Sequence, residues 1–277
     1  MLILYWRMAD LNGDGKADYI IVDDMTGAAT VYINGGQNSN ANLGWNWIPS
    51  SEIASGIAPG KTIHFADIDG DGRADYLSVD ARGGVTAYLN GGANSEASLG
   101  WLWIPAGKIA SGIGPGSEVR FADIDGDGKA DYLVVDKATG SVTEYLNGGP
   151  NSVASGGWVW IDQGKIASGV GAAGQSIVFG AVSSRGRADY LVITPGSGAV
   201  SLWANGCDGT VGDGGNEDGG SGGGGGGGGV TSTLPPGPIT TVVSGITVSD
   251  LKQTQFVIIA NFDSLHFRLL LMALRQS

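Results

Sequence analysis

Sulfur and imidazole are scarce in this chain of 277 residues. A single cysteine, Cys207, excludes an intrachain disulfide framework and any cysteine-based metal site. Two histidines, His64 and His266, leave little for imidazole chemistry. Basic side chains are also few. The 15 Lys and Arg against 27 Asp and Glu give a net charge of −12, which argues against nucleic acid or an anionic membrane surface as the main partner and makes cations the natural counterpart. Long apolar runs are missing. The stretch FVIIANFDSLHFRLLLMAL is interrupted by Asp263, His266 and Arg268, so it falls short of the ~18 uncharged residues that a membrane helix needs. The opening MLILYW lacks a basic segment and a small-residue cleavage site, so the expectation is a soluble chain with no targeting segment and no membrane span.

Glycine is abundant, at 51 residues, against a usual share of ~7%. With only 9 Pro, this is neither collagen nor a generally unstructured chain, and it points to many tight turns between short strands. Self-comparison explains the turns. ADLNGDGKADYI at Ala9 returns as ADIDGDGRADYL at Ala66 and ADIDGDGKADYL at Ala122, and a worn copy, GAVSSRGRADYL, begins at Gly180. The leading position steps from Asp10 to Asp67, Asp123 and Ala181, spacings of 57, 56 and 58. The segments VYINGG, AYLNGG, EYLNGG and LWANGC follow in phase, then GWNWIP, GWLWIP and GWVWID, then EIASGI, KIASGI and KIASGV. The fourth unit stops at Cys207, before its Trp-x-Trp segment.

Each unit reads as four short strands, seen in the third as VRFAD, ADYLVVD, SVTEYLN and GWVWI. They are β-branched and aromatic runs bounded by Gly, Asn and Asp, with no helical period to compete. Four strands in about 57 residues form one small antiparallel sheet, which cannot bury both faces alone. Stacking such sheets face to face around an axis is a β-propeller. The expected fold is therefore all-β, with blades near 1–62, 63–118, 119–175 and 176–206, the last incomplete.

The Asp-rich loops carry the chemistry. Asp67, Asp69, Asp71 and Asp75 occupy relative positions 1, 3, 5 and 9, the Arg73 carbonyl is available at position 7, and Gly70 and Gly72 allow the chain to wrap until these oxygens converge. Carboxylates so crowded repel unless a hard divalent cation sits among them, and calcium accepts six to eight oxygens at irregular geometry. The third unit offers Asp123, Asp125, Asp127 and Asp131 with the Lys129 carbonyl; the first offers Asp10, Asn12, Asp14 and Asp18 with the Lys16 carbonyl. Asn12 keeps an oxygen and drops a charge, so the first site should bind more weakly. Position 12 holds Ile21, Ser78 and Val134 and not a bidentate Glu, which excludes an EF-hand. The alternative is a set of Asx turns that bind nothing. In the fourth loop Ala181, Ser183 and Arg185 replace three of the oxygens, so no ion is expected, and Arg185 should pair with the surviving Asp189.

FADIDGDGKADYL, together with the Trp-x-Trp and Asn-Gly-Gly segments, resembles the FG-GAP or VCBS-type repeat of integrin-like β-propellers over roughly residues 1–206. That family includes integrin α-chain heads, a mushroom lectin and repeats of secreted fungal and bacterial proteins. The resemblance implies up to three structural Ca2+ ions held between the first two strands of a blade, an extracellular setting, and a non-catalytic role in binding a carbohydrate or protein. It implies as an alternative an accessory propeller of a secreted carbohydrate-active hydrolase or esterase. Members are mostly seven-bladed, so four units are either part of a longer propeller or an unusual ring, and oligomers become possible if the ring is incomplete.

The remaining candidates are weaker. Trp45 and Trp47, Trp101 and Trp103, and Trp158 and Trp160 are spaced to share a sheet face, as sugar-stacking platforms or as packing between blades, and their recurrence favours packing. His64 occupies a variable strand position. A Gly-x-Ser-x-Gly match at Gly219, Ser221 and Gly223 lies in polyglycine, where no strand-to-helix turn can form, and no hydrolase site is expected. Residues 207–229 read as a glycine-rich tether of ~25 Å r.m.s. span, and 230–277 as a Ser/Thr/Pro-rich stalk and an unassigned tail, within which Ile239 to Val248 has strand character.

Overall fold

The computed structural model describes residues 4–41, 44–152, 154, 157–183 and 186–206. They form fifteen strands in four antiparallel sheets, each a simple meander in chain order. Sheet one holds β1 (Leu4–Ala9), β2 (Asp18–Asp23), β3 (Ala29–Gln37) and β4 (Trp45–Ala54). Sheet two holds β5 (Ile63–Ala66), β6 (Asp75–Val79), β7 (Val85–Ala93) and β8 (Trp101–Ala110). Sheet three holds β9 (Val119–Ala122), β10 (Asp131–Val135), β11 (Val142–Pro150) and β12 (Trp158–Ala167). Sheet four holds β13 (Ile177–Gly180), β14 (Asp189–Ile193) and β15 (Val200–Trp203). The chain is an all-β propeller of four blades, the fourth with three strands among the described residues.

Three apolar clusters join consecutive blades. Val22, Val31 and Ile53 of the first blade meet Ile63, Tyr76 and Trp101 of the second; Leu77, Val85 and Ile109 meet Val119, Tyr132 and Trp158; Leu133 and Val142 meet Ile177 and Tyr190. Sandwiching on both sides explains why β6 and β10 are apolar in succession as DYLSV and DYLVV, with no polar alternation, and buried on both faces.

The outer strand is longer than its Trp-x-Trp core suggested. The Ile-Ala segment belongs to the same strand, so β4, β8 and β12 each run for ten residues. Register shifts carry β8 and β12 past Gly107 and Gly164, which sit at φ 76° and 69°. After each outer strand comes a glycine that only glycine can fill. A Cβ on Gly56, Gly112 or Gly169 would lie 2.1, 2.2 and 2.2 Å from the carbonyl oxygens of Thr26, Arg82 and Thr139, at the tip of the same blade's hairpin. A single 3-10 turn, such as Gly60–Thr62, then delivers the chain to the next inner strand.

On the inner strands Arg7, His64 and Arg120 occupy one register position. The His64 ring meets Phe121 edge-on at 5.7 Å, and burial, with Arg7 and Arg120 nearby, pushes its pKa down to about 3. His64 is thus a neutral packing residue at physiological pH.

Candidate metal centre

Each aspartate loop joins the first and second strands of its blade and is wound around its first carboxylate. In blade two Asp67 accepts hydrogen bonds from the amides of Gly70 (2.7 Å), Gly72 (2.7 Å) and Asp71 (3.2 Å). Gly70 and Gly72 turn the backbone at φ 82° and 87°, in the left-handed region that wraps the loop. The Asp71 amide also reaches Asp69, and the Arg73 amide reaches Asp71. Asp10 and Asp123 organise their loops through the matching glycines: Gly13 and Gly15, and Gly126 and Gly128.

The result is convergence. One carboxylate oxygen from each of Asp67, Asp69 and Asp71 lies within 4.8 Å of the others, and Asp123, Asp125 and Asp127 repeat the cluster. Burial, with the neighbouring charges adding to it, raises the pKa of Asp67, Asp69 and Asp123 above the usual carboxylate range. A donor set made only of hard, crowded, partly exposed oxygens fits a calcium-type cation and offers nothing to a soft metal. In the first loop Asp10 and Asp14 flank Asn12, and the same winding holds with one charge fewer.

The fourth aspartate of each loop has a second task. Asp75 is fully buried; one oxygen accepts the Ile68 amide (2.8 Å) and the other the Asn90 amide (2.7 Å). Asp18 and Asp131 repeat this with Leu11 and Asn34, and with Ile124 and Asn147. It therefore clamps loop to third strand through its own hydrogen bonds, with no ion required. Burial pushes Asp75 up to about 7 and Asp131 up to about 6 against those amide bonds, and the other loop aspartates add to the push. The spacing also hid the side chains at position 7, named only for their carbonyls. Lys16, Arg73 and Lys129 form ion pairs with Asp14, Asp71 and Asp127. The stems of Arg73 and Lys129 lie against Gly13 and Gly70 of the preceding loop.

A model of the FG-GAP-like repeat matches residues 10–78 and again 67–134, which spans the first three loops. Residues 10–134 carry two FG-GAP-like repeats. A solved structure of an Agrocybe aegerita lectin, described for its specific recognition of non-reducing terminal N-acetylglucosamine, aligns at TM-score 0.40 and 17% identity over 73% of this chain. The chain spans half the length of that lectin's chain. No curated protein matches.

The worn fourth loop shows what replaces the missing oxygens. Asp189 keeps the clamp, accepting the Val182 amide (2.9 Å) and the Asn205 amide (2.8 Å), and takes two further bonds from Ser183, through its amide (2.7 Å) and hydroxyl (2.8 Å). Neutral donors from Ser183 occupy lone pairs that the other loops leave open. The expected partner, Arg185, lies outside the described residues, as do His266, the Gly-x-Ser-x-Gly match and the segment from Ile239 to Val248.

The tryptophans pack. Trp101 and Trp158 are 8% and 5% exposed and donate to the Oδ1 atoms of Asn90 and Asn147 in their own blades. Trp103 and Trp160 donate across the blade boundary to the carbonyls of Ile53 and Ile109. An opening remains between blades one and two, a cavity of about 300 Å³ lined by Ile53, Ile57, Tyr76, Tyr88, Trp101 and Trp103.

One buried acid has no counterpart in the other repeats. Glu144 stands where they have Val31, Ala87 and Leu202; it is 4% exposed, and its Oε1 has no hydrogen-bond partner. Burial, with Asp131 and Asp125 beside it, pushes Glu144 up to about 7. Glu144→Leu removes an unsatisfied buried oxygen, a change worth about 1–3 kcal/mol. At pH 8 in chelator its melting temperature should exceed that of the parent by several degrees. Because the raised pKa makes Glu144 a larger cost where it is ionised than where it is neutral, the gain should shrink toward pH 5. Scanning fluorimetry at both pH values checks this, and an equal gain at both would refute the electrostatic cause.

Proposed function

We propose that the chain is a calcium-stabilised, extracellular, non-catalytic binding module for a carbohydrate or protein ligand, with residues 1–206 as its propeller. The observation that carries this reading is the recurrence, in phase with the blades, of three carboxylates gathered within 4.8 Å of one another. The second and third ions would be held by Asp67, Asp69, Asp71 and Asp75 with the Arg73 carbonyl, and by Asp123, Asp125, Asp127 and Asp131 with the Lys129 carbonyl. Asp10, Asn12, Asp14, Asp18 and the Lys16 carbonyl would hold the first more weakly. Eleven of the 27 acidic residues lie in these loops, so three ions would take the net charge from −12 to −12 + 6 = −6. A charged loop repeated in each blade suits structural ions better than three separate active sites.

For the ligand, the cavity between blades one and two supports a carbohydrate. Its walls are largely apolar and include the aromatic rings of Tyr88 and Trp103, residue types on whose ring faces the C–H face of a sugar stacks. Two measurements test the reading. Metal analysis of protein dialysed against calcium should return three ions per chain, with loop four contributing none; retention of no calcium would overturn it. A glycan array probed with the calcium-loaded chain should show binding that Tyr88→Ala abolishes, and silence across the array would remove the carbohydrate.

A further inference from the structure

Three of the bonds that join one blade to the next recur as a fixed set, each donated by the later blade. Tyr76, Tyr132 and Tyr190 donate their hydroxyls to the carbonyls of Gly27, Gly83 and Gly140, each at 2.8 Å. The amides of Ala74, Ala130 and Ala188 donate to the carbonyls of Asp10, Asp67 and Asp123 at 2.7, 2.7 and 2.6 Å. The Nδ2 atoms of Asn90, Asn147 and Asn205 donate to the carbonyls of Leu11, Ile68 and Ile124 at 3.0, 2.8 and 2.7 Å.

The first blade is built to make the same bonds. Tyr19, Ala17 and Asn34 are its counterparts of those donors, and among the described residues none of them donates to another blade. The rings are arranged for it: Tyr19 meets Tyr32 and Trp47 at 6.0 and 6.3 Å, as Tyr76 meets Tyr88 and Trp103 at 6.4 and 5.8 Å where they pack against the first blade. The residues of β2 alternate buried and half-buried, whereas β6 is buried on both faces.

The fourth blade carries the matching acceptors, the carbonyls of Gly198, Ala181 and Val182. Its outward face is opened at the edges. Val182 is 45% exposed where Leu11 and Ile68 are 0%, and Val200 is 40% exposed where Val85 and Val142 are 0%, while Leu191 between them stays covered.

We propose that the first blade of one chain docks on the fourth blade of a second copy, continuing the interface that already joins the blades within the chain. The contact is head-to-tail, so it closes into a ring when the rotation permits. Propellers close with up to about eight blades, and two copies supply eight.

Light scattering or sedimentation of the 277-residue chain at tens of micromolar should therefore give twice the 28.1 kDa chain mass. Tyr19→Asp and Val200→Asp, at opposite ends of the arc, should each reduce it to a monomer at the same loading while leaving the circular-dichroism melt in place. Val182→Asp serves as the second fourth-blade variant if Val200→Asp does not fold. A parent that is monomeric, whether through ring closure in one chain or through cover from its own remaining residues, overturns the proposal. So does a dimer broken from one end only, which would mean like faces meeting.

Discussion

Asp75→Ala should lower the melting temperature by about 10 °C or more even in chelator, a far larger loss than that of any other loop carboxylate in its blade. The fully buried Asp75 carboxylate is the acceptor for two amides, those of Ile68 and Asn90, and truncation leaves both without a partner. Each buried amide so orphaned costs about 1–3 kcal/mol, and a total of about 3–5 kcal/mol follows. The damage reaches the neighbouring blade, since Asn90 also donates its side-chain amide to Leu11 and Ala74. Asp71→Asn is the contrast. That side chain is 31% exposed and serves only the loop and Arg73, so in chelator the variant should melt within about 1 kcal/mol of the parent. In calcium the order of interest changes, because Asp71→Asn forfeits the increment from the second ion while keeping the clamp. Asp189→Ala should lose the clamp and show no calcium-dependent component in its own loop. Melts of the three variants with and without calcium separate the two tasks. An Asp75→Ala protein that melts with the parent in chelator would sink the clamp.

Much of this was legible in the residues. The period near 57 fixed the four blades and their first three strands, because loop, hairpin and Asn-Gly-Gly segment recurred together. Spacing also identified which oxygens can converge, and the structure brings Asp67, Asp69 and Asp71 together as expected. What spacing cannot reveal is which lone pairs are already taken. Asp75 looked like a fourth equal ligand, yet both its oxygens hold amides that lie 7 and 15 residues away in the chain. The basic side chains at position 7 were invisible for a related reason: Lys16, Arg73 and Lys129 fold back two residues to pair with an aspartate that the spacing had already assigned. Alternation on a strand told which face each Trp shares, and not what stands opposite. Only the position of the preceding blade shows that Trp103 and Trp160 are donors to its carbonyls. The Trp-x-Trp core does not show how far the outer strand runs, because bulges at Gly107 and Gly164 carry it on into the Ile-Ala segment. Glu144 had a signal in the sequence, an acid at a position otherwise apolar in every repeat, and it became meaningful only once both faces of β11 were known to be covered.

The stabilisation that calcium confers should be large at pH 8 and small at pH 5. Without a cation, burial raises Asp75 to about 7 and Asp131 to about 6, and raises Asp18, Asp67, Asp69 and Asp123 as well. An unfolded chain releases these protons near pH 3.9. Between about pH 4 and 7 the native protein therefore binds more protons than the unfolded one, and its stability in chelator falls as pH rises through that window. Calcium demands the ionised carboxylates, so protons compete with it below about pH 7 and its contribution grows over the same window. At pH 8, with free calcium at a hundred times its dissociation constant, each site adds about 2.7 kcal/mol, or about 8 kcal/mol for three independent sites. At about 2–4 °C per kcal/mol for a domain of this size, the melting temperature should rise by on the order of 15 °C or more. The first loop, with Asn12 in place of an aspartate, should fill last in a titration. Melting curves in calcium and in chelator at half-unit steps from pH 5 to 8 measure the increment directly. An increment as large at pH 5 as at pH 8 would show that the raised carboxyls do not face the ion, and no increment at any pH would show that the loops are held by their own amides and cationic side chains alone.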